Sequence, residues 1–262
     1  MRNRGPVSHP PVLVPPVVGG TSFEADCDHK DLWTSYAYSY DEVLPYLDFY
    51  QQVVERHIAA LSADDVETVI DIGAGTGSVA VPLITSGRAV TCVDNNRAML
   101  ERLRMKLEGR TTDRIEIVQQ NAEELSAWAD GAFDGVNILL ALFDMANPQA
   151  AFGHALRVLR PGGILVLTEP KRSFDLDDLL AHAEQWLRNQ GLHGRLKPHW
   201  ERVCEVNAKI RPGQRRSWMP IEVILKVIND SGFRLESARD SHHGNCATVV
   251  ARKLASEAVT KG

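Results

Sequence analysis

Residues 69–77 read Val-Ile-Asp-Ile-Gly-Ala-Gly-Thr-Gly, an apolar run ending in an acid and three alternating glycines. A strand that stops at Gly73, Gly75 and Gly77 and passes into a helix lets the backbone approach a ligand where a side chain would collide. The helix N-terminus beyond it favours a negatively charged group. The same loop can be aligned as a dinucleotide pattern, Gly75-Thr-Gly-Ser-Val-Ala80, although its first glycine then falls two residues past the natural turn. The loop by itself therefore leaves the ligand open. A second acid, Asp94, ends the next apolar run in Val93-Asp-Asn-Asn-Arg97, with Asn95 beside it. A carboxylate there can accept two hydroxyl donors at once, as a ribose diol offers, or it can cap the following helix. Asn121-Ala122 follows a third apolar run, and its amide is either a ligand contact or an ordinary turn residue.

These residues need elements to hold them. Apolar stretches at 66–72, 89–93, 115–119, 133–140 and 164–168 read as strands, and those at 78–85, 97–107 and 149–159 as helices, with a short helix or turn near 123–128. Strands alternating with helices give right-handed crossovers and a parallel sheet covered on both faces. Beyond Pro170 the rhythm changes to two charged helices over 174–210, broken at 191–194. A helix at 220–228 and strands at 233–239 and 247–251 follow, the strands pairing as an antiparallel edge hairpin. Ahead of the first strand, Asp41 is the expected N-cap of one helix running through Val43 to Leu61. The expected fold is α/β: a doubly wound, mostly parallel, seven-stranded sheet with an antiparallel edge hairpin and a helical cap. Its parts are a flexible proline-rich arm (1–30), an N-terminal helical cap (31–64), a ligand-binding core (65–170), a helical cap insertion (171–218) and a C-terminal helix with the edge hairpin (219–262).

A net charge of −5 gives no general attraction to nucleic acid or anionic lipid. No run of eighteen apolar residues suggests a membrane span. The four cysteines, Cys27, Cys92, Cys204 and Cys246, form no close pair, which points to a reducing, cytoplasmic setting. Arg211, Arg215 and Arg216 form a local basic patch.

The chain resembles the class I S-adenosylmethionine-dependent methyltransferases, over roughly residues 66–170 and more loosely to the end. Asp71 two residues before the first glycine, Asp94 ending strand two, Asn121-Ala122 after strand three and Arg157-Val-Leu-Arg-Pro-Gly-Gly163 before strand five carry the resemblance, in order. It implies S-adenosyl-L-methionine as cofactor, a Rossmann-like fold and a small-molecule acceptor methylated on nitrogen or oxygen, in a biosynthetic tailoring role. By resemblance Asp71 lies near the methionine ammonium, Asp94 holds the ribose diol and Asn121 meets the adenine, where aspartate is more usual. Two other readings keep the same motifs: a cofactor-binding protein that catalyses a cyclisation, and a nicotinamide oxidoreductase using the dinucleotide pattern. A non-catalytic binding protein is a further one.

Methyl transfer from a sulfonium is an in-line displacement, so a base is needed only when the acceptor must lose a proton. Asp144, after strand four, and Glu169, after strand five, are the candidates for facing the acceptor; a helix cap and a salt bridge are their bland alternatives. His193 and His199 are candidate bases among nine histidines, against a plain surface role. His242-His243 lacks partners spaced for a metal, and no metal is expected. The aromatic segment 33–40 and Trp186, Trp200 and Trp218 suit either packing or an apolar acceptor pocket.

Overall fold

The computed structural model describes residues 23–110 and 113–255, with side chains from residue 31 onward. The expected arm lies outside the described residues as far as residue 22; residues 23–30 are helical.

Two helices lead in, α1 (Phe23–Val43) and α2 (Asp48–Leu61). The core then alternates β1 (Thr68–Ile72), α3 (Ala80–Thr85), β2 (Ala89–Asp94), α4 (Arg97–Lys106), β3 (Ile115–Gln119), β4 (Phe133–Leu139), α5 (Pro148–Val158) and β5 (Leu159–Pro170). Next come α6 (Leu176–Asn189), α7 (His193–Lys209), α8 (Ile221–Asp230), β6 (Phe233–Ser241) and β7 (Cys246–Lys253). Asn96, Asn147 and Asp175 cap α4, α5 and α6, each side chain accepting the backbone N–H three residues on.

One departure lies before the sheet. The single helix expected from Asp41 to Leu61 is two helices, interrupted at Leu44–Tyr46 by a 3₁₀ turn. Pro45 has no N–H to give and its ring collides with the carbonyl four residues back, so α1 stops at Val43. Asp41 is thus not a cap but a residue inside α1.

The seven strands are ordered β3-β2-β1-β4-β5-β7-β6. β1 to β5 run parallel, and β7 lies antiparallel between β5 and the edge strand β6. Chain order reverses between β1 and β4, so the loops leaving their carboxyl ends diverge and open a crevice. Leu61, Val69, Leu83 and Leu103 pack in one buried cluster, and Ile138, Phe152, Ile224 and Phe233 in another. A third apolar cluster, including Tyr36, Leu187, Leu196 and Trp200, joins α1, α6 and α7 into a cap with its own core.

Candidate functional site

Each glycine of the loop after β1 has its own reason. All three have positive φ, at 71°, 53° and 82°, where a side chain is strained. A Cβ on Gly73 would lie 2.4 Å from the Cβ of Ala141, so Gly73 lets the loop after β4 close in. A Cβ on Gly77 would lie 2.3 Å from Leu103 Cδ1, which fits α4 against the loop. At Gly75 nothing stands within 4 Å. That open space is the floor of a cavity of about 250 Å³.

Gly73, Gly75, Asp94, Asn95, Asn121 and Ala122 all line this cavity. Asp94 accepts the N–H of Gly75 (2.9 Å) and of Asn96 (2.8 Å), one on each oxygen. The Asn95 backbone N–H donates to Asp94 as well, and a carboxylate's roughly four lone-pair sites leave room for a further donor. Burial raises its pKa, against the pull of these backbone donors. The cap of α4 is Asn96, so the capping alternative for Asp94 fails. Asn121 does cap, accepting the Glu123 N–H at 3.1 Å while it lines the cavity.

Asp71 and Gly77 do not line the cavity. Asp71 is buried beneath the loop and accepts from Asn137 Nδ2 at 2.7 Å. Burial pushes its pKa up to about 7, with Asp94 adding to the rise. Behind it, His57 lies 2.6 Å from Asn137 Oδ1 and 2.7 Å from Thr168 Oγ1. Because the Asn137 amide nitrogen donates to Asp71, its oxygen must accept, which assigns the proton to His57 Nδ1. Burial lowers the His57 pKa to about 4, so the ring is neutral. Nothing in the local sequence marks His57 as the support of Asp71.

Opposite the loop stands the cap. Trp33, Tyr36 and Tyr40 on α1 and Asn207 on α7 line the same cavity. α1 is held at both lips. Trp33 Nε1 donates to Asp144 Oδ2 at 2.6 Å. At the other lip Asp41 accepts from Thr76 Oγ1 and Lys106 Nζ, both at 2.6 Å. Asp144 thus lines the cavity but carries Trp33, and it pairs with Arg215 at 3.5 Å. The salt-bridge reading, weighed for Glu169, holds for Asp144.

Glu169 is a correction. It is fully buried, its oxygens accepting the backbone N–H of Ala141 (2.9 Å), Leu142 (2.8 Å) and Phe143 (3.2 Å). It shapes the loop after β4 and does not face the cavity, and burial raises its pKa to about 7. Leu140, at the start of that loop, has φ +50 and donates its N–H to Thr168 O at 2.8 Å. Neither candidate histidine reaches the cavity. His193 lies 3.2 Å from Glu184 on the cap, and His199 lies 3.3 Å from Ser39. Among the described residues no group of three or more His, Cys, Asp or Glu could hold a metal, and no helix is long and apolar enough to cross a membrane.

The remaining motif is structural. Arg157 donates to Trp128 O, Leu125 O and Asp130, and Arg160 to Asp134 at 2.6 Å, all at the sheet end away from the cavity.

Residues 70–167 match a family model described as a methyltransferase domain. A demethylmenaquinone methyltransferase from Clavibacter sepedonicus is 38% identical over 103 residues, 39% of this chain and 41% of the relative. The ubiquinone/menaquinone biosynthesis C-methyltransferase UbiE of Zymomonas mobilis is 35% identical over 97 residues, 37% of this chain and 40% of the relative. The chain thus spans about two fifths of the length of these curated relatives. Magnesium protoporphyrin IX methyltransferase from Synechocystis PCC 6803, solved with bound SAH, superposes with a TM-score of 0.54 at 21% identity, over 78% of this chain and 84% of that one. Residues 70–167 are thus similar to a methyltransferase domain, and the fold is that of solved methyltransferases.

Proposed function

We propose that the protein transfers a methyl group from S-adenosyl-L-methionine to a small molecule. The observation that carries this reading is the meeting of Gly75, Asp94 and Asn121 around one cavity at the strand-order reversal. The open space above Gly75 admits the cofactor's close approach, the remaining acceptor capacity of Asp94 suits a ribose hydroxyl, and the second lone pair of the Asn121 carbonyl suits the adenine amino group. Asp71 supports the methionine end from beneath the loop. The cofactor, when bound, supplies an electrophilic methyl on a sulfonium.

The dinucleotide reading needs close approach at Gly77, but that glycine faces Leu103, so nicotinamide binding is not favoured. Asp144 lines the cavity but is held by Trp33 and Arg215, and Glu169, His193 and His199 do not line it. The protein's contribution is then alignment and exclusion of water by the aromatic wall of α1. Such a site suits an acceptor atom that already carries an available electron pair. Nitrogen and oxygen fit that description, and the relative named for C-methylation adds an activated carbon. A small-molecule acceptor accords with the relatives' names and a net charge of −5.

The test is incubation with methyl-labelled cofactor and a panel of neutral amines, phenols and enolisable rings, beside calorimetric titration with SAH. Label transferred to product and SAH binding support the reading. SAH binding with a product of unchanged mass would favour the cyclisation alternative, and nicotinamide binding without SAH binding would overturn both.

A further inference from the structure

A second chamber of about 100 Å³ lies behind the cofactor cavity, between the start of α2 and the cap helices α6 and α7. The two share Tyr36, Leu44, Leu140, Phe143, Asn207 and Ile210, which form the partition between them. Their chemistry differs sharply. The cofactor cavity carries Asp94, Glu123, Asp144 and Arg215. No Asp, Glu, Lys or Arg lines the second chamber, whose walls include Phe174, Leu179, Ala183, Trp200 and Val203.

Its titratable groups are neutral as well. Burial lowers the His242 pKa to about 3 and raises the Cys246 thiol and the Tyr36 and Tyr50 hydroxyls well above their usual range. A polar feature of the partition is one pair: Asn207 Nδ2 donates to Tyr36 Oη at 3.0 Å and to Val203 O at 2.8 Å. A charged ligand entering this chamber would lose its hydration with no compensating ion, which is strongly unfavourable. An apolar group would release the wall and itself from water.

We propose that the second chamber seats the uncharged, apolar end of the acceptor, with the Tyr36–Asn207 pair facing the polar atom presented to the cofactor. Size narrows the class. An apolar cavity of about 150 Å³ holds benzene, so this smaller one takes a short branched alkyl group and not an aromatic ring. The inference rests on the methyltransferase reading for its role, but its binding part stands separately.

The experiment titrates the full chain, with and without SAH, using isobutanol as the neutral probe, toluene as the oversized probe and isobutyrate as the charged one. Isobutanol should bind at least about tenfold more tightly than isobutyrate. Ala183→Phe, which fills the chamber, should weaken isobutanol binding about tenfold or more and move SAH affinity less than about twofold. Leu179→Ala, which enlarges it, should admit toluene, so the test survives a poorly folded Ala183→Phe. Isobutyrate binding as well as isobutanol, or isobutanol and toluene indifferent to both substitutions, would overturn the proposal. Probe binding without SAH binding would sink the methyltransferase reading and leave the chamber assignment standing; SAH binding without probe binding does the reverse.

Discussion

The two walls of the larger cavity are built on different principles. The core wall is backbone and short side chains: Gly73, Gly75, Asp94 and Asn121, each fixed by the end of a strand. The cap wall is bulk: Trp33, Tyr36, Tyr40 and Ile210, carried on helices that pack mainly against one another. On the first wall a residue's type is dictated by φ, by a carboxylate's two oxygens or by the absence of a Cβ. On the second, many apolar residues would fill the same volume. Under the proposed function, the difference teaches that cofactor identity is written in geometry that tolerates few substitutions, whereas acceptor identity is written in shape.

The sharpest break of this contrast uses the loop itself. Gly73→Val puts a branched side chain at φ +71 against Ala141; it should destabilise the fold by about 3 kcal/mol or more in chemical denaturation and abolish SAH binding. Gly75→Ala meets no neighbour and should lose only about 1 kcal/mol of stability, yet bind SAH at least about tenfold more weakly. Undiminished SAH binding by Gly75→Ala would show that the ligand does not approach there.

Next in size is Asp94→Ala, expected to weaken SAH binding about 10- to 100-fold by calorimetry, since hydrogen bonds to a charged group are worth about 1.5–3 kcal/mol. Tyr40→Phe on the opposite wall should change it less than about threefold. Equal effects would erase the distinction between the walls.

The third test is pH. The Asp71 carboxyl has its folded pKa raised to about 7 from 3.8, so its stabilising contribution is complete below 3.8 and is lost as pH rises through 7. A cofactor ammonium favours the ionised form. SAH affinity should therefore rise with pH, by up to about tenfold per unit below pH 7, and level off above it. Asp71→Asn should flatten the profile. A flat profile in the parent protein would confine Asp71 to supporting the loop.

The smallest effect is expected at His193→Gln and His199→Gln. Neither lines the cavity, so the rate of methyl transfer should stay within about twofold of the parent. A large loss would put a cap histidine back into the chemistry.

The sheet and the core wall were legible because their signals are local: apolar runs bounded by glycine, and acids at strand ends. Glu169 misled for a physical reason. Both faces of β5 are buried, so alternation along the strand cannot tell which way an acid points. Pro45 did carry the signal that splits the first helix, but the apolar spacing across it matched a continuous helix. Asn207 and His57 had no readable mark, since their partners lie 171 and 80 residues away in the chain. Arg215 showed only as part of a basic patch, and its partner Asp144 only as a strand-end acid.

Leu140 carries a consequence of its own. Its left-handed backbone is strained by about 1–2 kcal/mol for a residue with a Cβ, and its side chain stands in the partition between the two chambers. An engineer seeking thermostability would choose Leu140→Gly early, relieving the backbone at a stroke. That change would also remove part of the barrier between a charged compartment and an uncharged one, admitting water and broader cargo. At this one position robustness and discrimination pull in opposite directions, and the residue present favours discrimination.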